Sequence, residues 1–153
     1  MDIQRLLAYF QSRSVDEMSQ FADEVLAVAP TSKIANYGKG YALFNAKKYE
    51  EALVCYTTCT EHHPDYYDAW YQAGLCKYRQ AIDLNITIDG IKNQVKAKEV
   101  KDTVKKLFGA AIPYFEKARE CTPDEPQKWA FELKQCYSAV GDKAKADEMD
   151  KLM

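Results

Sequence analysis

Glycine and proline are scarce in this chain. Six Gly and five Pro among 153 residues are about half the usual combined share of roughly 12%. A β-sandwich or barrel needs a turn every ten residues or so, and the turn residues for it are missing. Histidine is scarcer still, with only His62 and His63, adjacent in sequence. A Ser–His–acid set has no distributed histidine to build on. No phosphate-binding loop and no dinucleotide fingerprint occur. Gly38-Lys39-Gly40 follows no strand signal and lies within a helical stripe, so a phosphate site is not expected there. No apolar run approaches the roughly 20 residues that span a bilayer. The start, Met1-Asp2-Ile3-Gln4-Arg5, shows no basic head before an apolar stretch, so no export signal is read and a cytoplasmic location is expected. Asn85-Ile86-Thr87 matches the glycosylation acceptor pattern, and without export the match is read as chance. The net charge of −2 argues against a nucleic-acid partner.

What is present is helical. Hydrophobic residues make up 47% and charged residues 29%, enough for a buried core in one domain. The cysteines are Cys55, Cys59, Cys76, Cys121 and Cys136. Their number is odd and none forms a C-x-x-C pair, so they are read as reduced thiols filling small core sites. Cys55, Cys59 and His62 or His63 share one helical face, a ligand-like spacing. One helix rarely supplies a full ligand set, so metal binding there is kept only as a third reading. No cofactor is expected.

The breakers are periodic. Pro30 and Pro64 stand 34 residues apart, as do Gly40 and Gly74. Between them lie Tyr37, Tyr41, Phe44 and then Ala52, Tyr56, Cys59, each set on one helical stripe. The polar step Asn45-Ala46-Lys47-Lys48 joins the two as a tight helical hairpin. Gly40 and Gly74 let two helices approach where a Cβ would collide, and Pro30, Pro64 and Pro123 punctuate. Asp65, Asp124 and Asp142 stand where N-cap acceptors are useful.

Paired helices with a period of 34 residues resemble the tetratricopeptide repeat (TPR) family. One copy gives Asn36, Lys39-Gly40, Leu43, Ala52, Tyr56, Cys59 and Pro64. The next opens with Trp70, Ala73-Gly74 and Lys77 and closes late, with Ala111, Phe115, Ala118 and Pro123. The third gives Ala130, Leu133, Tyr137, Gly141-Asp142 and Ala146. Residues 1–32 fit loosely, through Leu6, Tyr9, Ala22 and Pro30. The resemblance implies one all-α, TPR-like superhelical domain over residues 1–153 with about eight helices. Its repeats would be 1–32 (degenerate), 33–66, 67–125 and 126–153 (truncated).

Pro64 and Pro123 are 59 residues apart, an excess of 25 over the period. The excess sits at residues 80–109 of the second copy. Asp89-Gly90 is its turn signal. An overlong hairpin is expected, with helices over about 66–85 and 91–120 and a kink near Gly109 and Pro113. A mobile loop over residues 86–100 is the alternative, because Ile86-Thr87-Ile88 favours strand or coil.

The resemblance implies a non-catalytic interaction module or scaffold. In the family the first helix of each pair lines a concave groove. The matching positions are Tyr37, Tyr41 and Phe44, then Tyr71, Leu75 and Tyr78, then Phe131. Such rings suit capture of a peptide or helix. Several of them, Tyr41 and Phe44 above all, also suit a plain core. The carboxylate clamp of chaperone-binding relatives is not expected: Tyr37, Tyr41, Gln72 and Glu132 occupy its positions, and only Lys128 fits. Self-association into a dimer or larger assembly is the alternative function. The Lys92–Lys106 stretch, with six Lys against Glu99 and Asp102, reads as a solvated face or a contact for an acidic partner.

Overall fold

A computed structural model describes residues 14–153. Among the described residues there are seven α-helices and no strand. They are α1 (Val15–Val28), α2 (Lys33–Asn45), α3 (Tyr49–His62), α4 (Tyr67–Asn85), α5 (Gln94–Cys121), α6 (Ala130–Val140) and α7 (Lys143–Leu152). Single 3-10 turns cover Ile88–Gly90 and Pro126–Lys128. Leu6 and Tyr9, which mark the degenerate first repeat, lie outside the described residues. So does any helix that precedes α1. The chain divides into two compact units, Met1–Ala69 and Trp70–Met153.

In the first unit α2 packs on both α1 and α3. Ser14 and Ser32 start α1 and α2 by accepting from the Glu17 and Ala35 amides at 3.3 Å, which satisfies donors that a helix start leaves orphaned. Met18 and Ala42 are buried together, with Ile34 and Tyr41 packed against them. The expected close crossing is present: a Cβ on Gly40 would stand 2.8 Å from the Tyr56 ring. Asn36, at an aromatic position of the repeat, is buried instead. Its Nδ2 donates to the Pro30 and Ser32 carbonyls at 3.0 Å each, so an amide rather than a ring ties the entering loop. The α2–α3 turn is tight as expected. Lys47 takes φ +59°, and Lys47 and Lys48 donate to the Phe44 and Leu43 carbonyls. This is a Schellman end with lysine where glycine is usual.

The second unit repeats the plan. A Cβ on Gly74 would stand 2.7 Å from the Phe115 ring. Phe115, Ala118, Leu133 and Cys136 are fully buried, and α6 packs on α5 and α7. Trp129 is buried, and its ring N–H donates to the Thr122 carbonyl at 2.9 Å, which closes the loop between α5 and α6. Gly141 ends α6 at φ +86°, and Asp142 caps α7 by accepting from the Lys145 amide at 3.2 Å. Asp124 does not play the same part: the turn after it starts at Glu125 without a side-chain cap, and α6 starts at Trp129, also uncapped.

The elongated hairpin forms as α4, a connection over residues 86–93 and α5. Compared with α2 and α3, α4 has 19 residues against 13, the connection 8 against 3, and α5 28 against 14. Those differences account for the whole 25-residue excess. The loop alternative over residues 86–100 fails from residue 94 on, because Asn93 caps a new helix by accepting from the Val95 and Lys96 amides. Pro113 lies inside α5 without ending it.

Candidate functional site

The seven expected contact residues fall in both units. Tyr37, Tyr41 and Phe44 lie on α2 in the first, and Tyr71, Leu75 and Tyr78 on α4 and Phe131 on α6 in the second. Tyr37 is only 7% exposed. Its ring packs against Tyr56 at 5.5 Å and Tyr66 at 5.6 Å, and Lys33 sits 4.0 Å over the Tyr66 ring. Tyr37 is thus part of the core, and its replacement would act through stability. Tyr41 is half-buried on the Met18–Ala42 cluster. Phe44 is half-buried, edge-on to Tyr49 at 5.2 Å.

In the second unit the rings are ordered by Phe115. Tyr71 and Tyr78 are half-buried, with centroids 5.7 and 6.1 Å from it. Tyr78 also meets Phe108 edge-on at 5.6 Å, and burial pushes its hydroxyl above the usual tyrosine range. The Tyr71 hydroxyl donates to Glu132 Oε1 at 2.9 Å, so α4 and α6 are joined through a charge-assisted bond. One residue before Glu132, Phe131 is 53% exposed. Leu75 lies one turn beyond Tyr71 and is half-buried. The arrangement offers packed aromatic area with the Tyr71 hydroxyl already engaged.

The clamp positions are otherwise occupied. Lys128 pairs with Glu125 at 2.8 Å, and Glu132 holds Tyr71. The cysteine–histidine set does not assemble either. Cys59 Sγ faces the Lys33 carbonyl at 3.5 Å, and His62 Nδ1 faces the Thr58 carbonyl at 3.0 Å. Among the described residues no three His, Cys, Asp or Glu side chains converge as metal ligands would. Burial pushes the Cys59 and Cys136 thiols up to about 12, which suits inert core thiols. Cys55, Cys59, Cys76 and Cys136 are buried thiols outside any disulfide, and Cys121 is a half-buried one.

Sequence reasoning missed a cleft in the second unit. Asn85, Lys101, Val104, Lys105, Phe108, Gln135, Ser138 and Ala139 line a space of about 470 Å³. The signal available in sequence was the lysine excess over residues 92–106, with no hint of what it would border. No described helix is long and apolar enough to cross a membrane.

No family model matches the chain. No curated protein matches it. Solved structures do. A MamA D159K mutant superposes with a TM-score of 0.68 at 18% identity, over 99% of this chain and 76% of that one. A structure titled MamA MSR-1 C2 gives 0.63 at 18% identity, over 99% and 78%. A third, YrrB, titled a TPR protein with an unusual peptide-binding site, gives 0.43 at 20% identity, over 97% and 80%. From the two MamA matches and the helix pairing described above, the chain has the all-α fold of a TPR-type array of helical hairpins.

Proposed function

We propose that the chain is a non-catalytic protein-interaction module that captures a peptide or helix on the aromatic face of its first-position helices. The carrying observation is Phe131, a large ring left 53% exposed on α6 beside the Tyr71–Glu132 bond. An exposed phenylalanine held next to a fixed hydrogen-bonded pair has the character of an interface anchor. Tyr78 and Leu75 extend that face on α4. Tyr41 and Phe44 supply a separate, half-buried patch in the first unit. The fold supports the reading, since arrays of this type present their helix faces for contact.

Selection of a displayed peptide library on the chain tests it. Phe131→Ala should weaken the selected peptides about tenfold, a usual cost for an aromatic anchor. Its thermal midpoint should stay within about 2 °C, because an exposed ring adds little to the fold. Peptides that bind the variant unchanged would move the site off this face.

A further inference from the structure

The second unit holds a surface that the aromatic face does not explain. Helix α5 has 28 residues and α6 has 11, so at about 1.5 Å per residue α5 is about 25 Å longer. The elongated hairpin thus makes an arm, and the cleft lies where α5 borders the last turns of α6. Lys101 and Lys105 form one wall, Gln135 and Ser138 the other, and Val104 and Phe108 give it an apolar part. A second hollow of about 400 Å³ shares the α5 side, lined by Asp102, Lys105, Lys106 and Val140. Spaces of this size take one or two side chains of a partner.

Charge decides which partner. Residues 92–106 hold six Lys against Glu99 and Asp102, a local charge of +4; the rest of the chain, whose total is −2, carries −6. Four lysines elsewhere are in ion pairs: Lys39 with Asp23, Lys117 with Glu120, Lys128 with Glu125 and Lys134 with Asp150. Among the described residues none of the six is in an ion pair. They are not needed to satisfy the end of α6 either. Its Ser138 and Tyr137 carbonyls already accept from the Gly141 and Asp142 amides. Lys98, Lys101 and Lys105 follow one helical stripe; residues 92–106 hold no aromatic ring for base stacking, and Phe108, which continues the stripe, is packed edge-on against Tyr78. The walls are recessed and hold amide and hydroxyl groups, which suits a polypeptide better than a flat lipid surface.

We propose that this corner is a second docking site, taking an acidic segment of a partner protein through an apolar anchor flanked by carboxylates. The test is fluorescence anisotropy with the whole chain and a labelled helical peptide carrying two leucines at i and i+3 between glutamates. Its glutamine counterpart serves as control. The glutamate peptide should bind more tightly than the glutamine one, and binding should weaken as salt rises. Lys101→Glu with Lys105→Glu should weaken it at least about tenfold. Lys117→Glu with Lys151→Glu, an equal charge change elsewhere, should leave it within about twofold. Ser138→Trp, which fills the cleft and keeps the charge, should also weaken it. Phe131→Ala should not, which separates this site from the aromatic face. The proposal is overturned if neither peptide binds, or if the two charge reversals act equally. Binding of phosphatidylserine vesicles or single-stranded RNA in place of the peptide would overturn it too.

Discussion

Tyr137 shows how single side chains hold the second unit. Its hydroxyl donates to Glu116 Oε1 at 2.6 Å, linking α6 to α5. Burial first, and the Glu116 hydrogen bond second, raise its pKa above the ordinary value of 10.0. Burial raises Tyr66 in the same direction. A tyrosine whose folded pKa is raised contributes stability that is whole below the unfolded pKa and is lost as pH rises through the folded one. The thermal midpoint should therefore be level from pH 7 to about 9 and fall above about pH 10. Tyr137→Phe should lower the midpoint at neutral pH, by about 1 kcal/mol of stability, and should flatten the alkaline fall. A melt of equal pH slope in the variant would deny the linkage. At this scale the sequence was only partly legible. It exposed the small residues, because a crossing tolerates nothing larger, as at Ala52, Ala111 and Ala118, all fully buried. It hid Asn36, since an amide that replaces a ring through two loop carbonyls leaves no periodic mark. It also left Tyr37 ambiguous, because a groove position and a core position share one helical stripe.

Glycine separates the elements that must touch from those that need not. A Cβ at Gly74 would press on the buried Phe115 ring at 2.7 Å, whereas one at Gly109 would meet Val140 at an ordinary 3.5 Å. Gly74→Ala should destabilise by about 1–3 kcal/mol, overpacking outweighing the gain in helix propensity. Gly109→Ala should stabilise by about 0.5–1 kcal/mol. Chemical denaturation of both variants checks the contrast, and two changes of the same sign would refute it. Element order and hairpin phase were readable because Pro and Gly recur with the repeat. The extra residues announced a longer hairpin but not their division. Only the structure shows that α5 takes 14 of them and α4 takes 6. The candidate cleft was unreadable for the same reason. It depends on where α5 runs relative to the end of α6, and residue spacing within one helix carries no such information.

Across the whole chain, burial is uneven. Val95 is 68% exposed and Ile86 73%, both near the end of the arm, while Ala111, Phe115 and Ala118 on the same α5 are fully buried. Pro113 lies between the residues of the arm and most of that anchored end. It has no N–H, so the Gly109 carbonyl lacks its usual helical donor, and one rung of the ladder is missing there. A helix normally transmits fraying only as far as its next intact rungs, and opening free energy follows local packing. The proline is therefore expected to divide α5 into two cooperative segments within one helix. Hydrogen exchange should report fast amides over residues 94–103 and slow ones over 114–121. Pro113→Ala should slow exchange at the amides next to it. Uniform exchange along α5 would contradict the division. On that expectation, what looks like a tolerated blemish in a long helix works as a circuit breaker: fraying of the arm stops at the missing rung and does not spread to the buried end of α5.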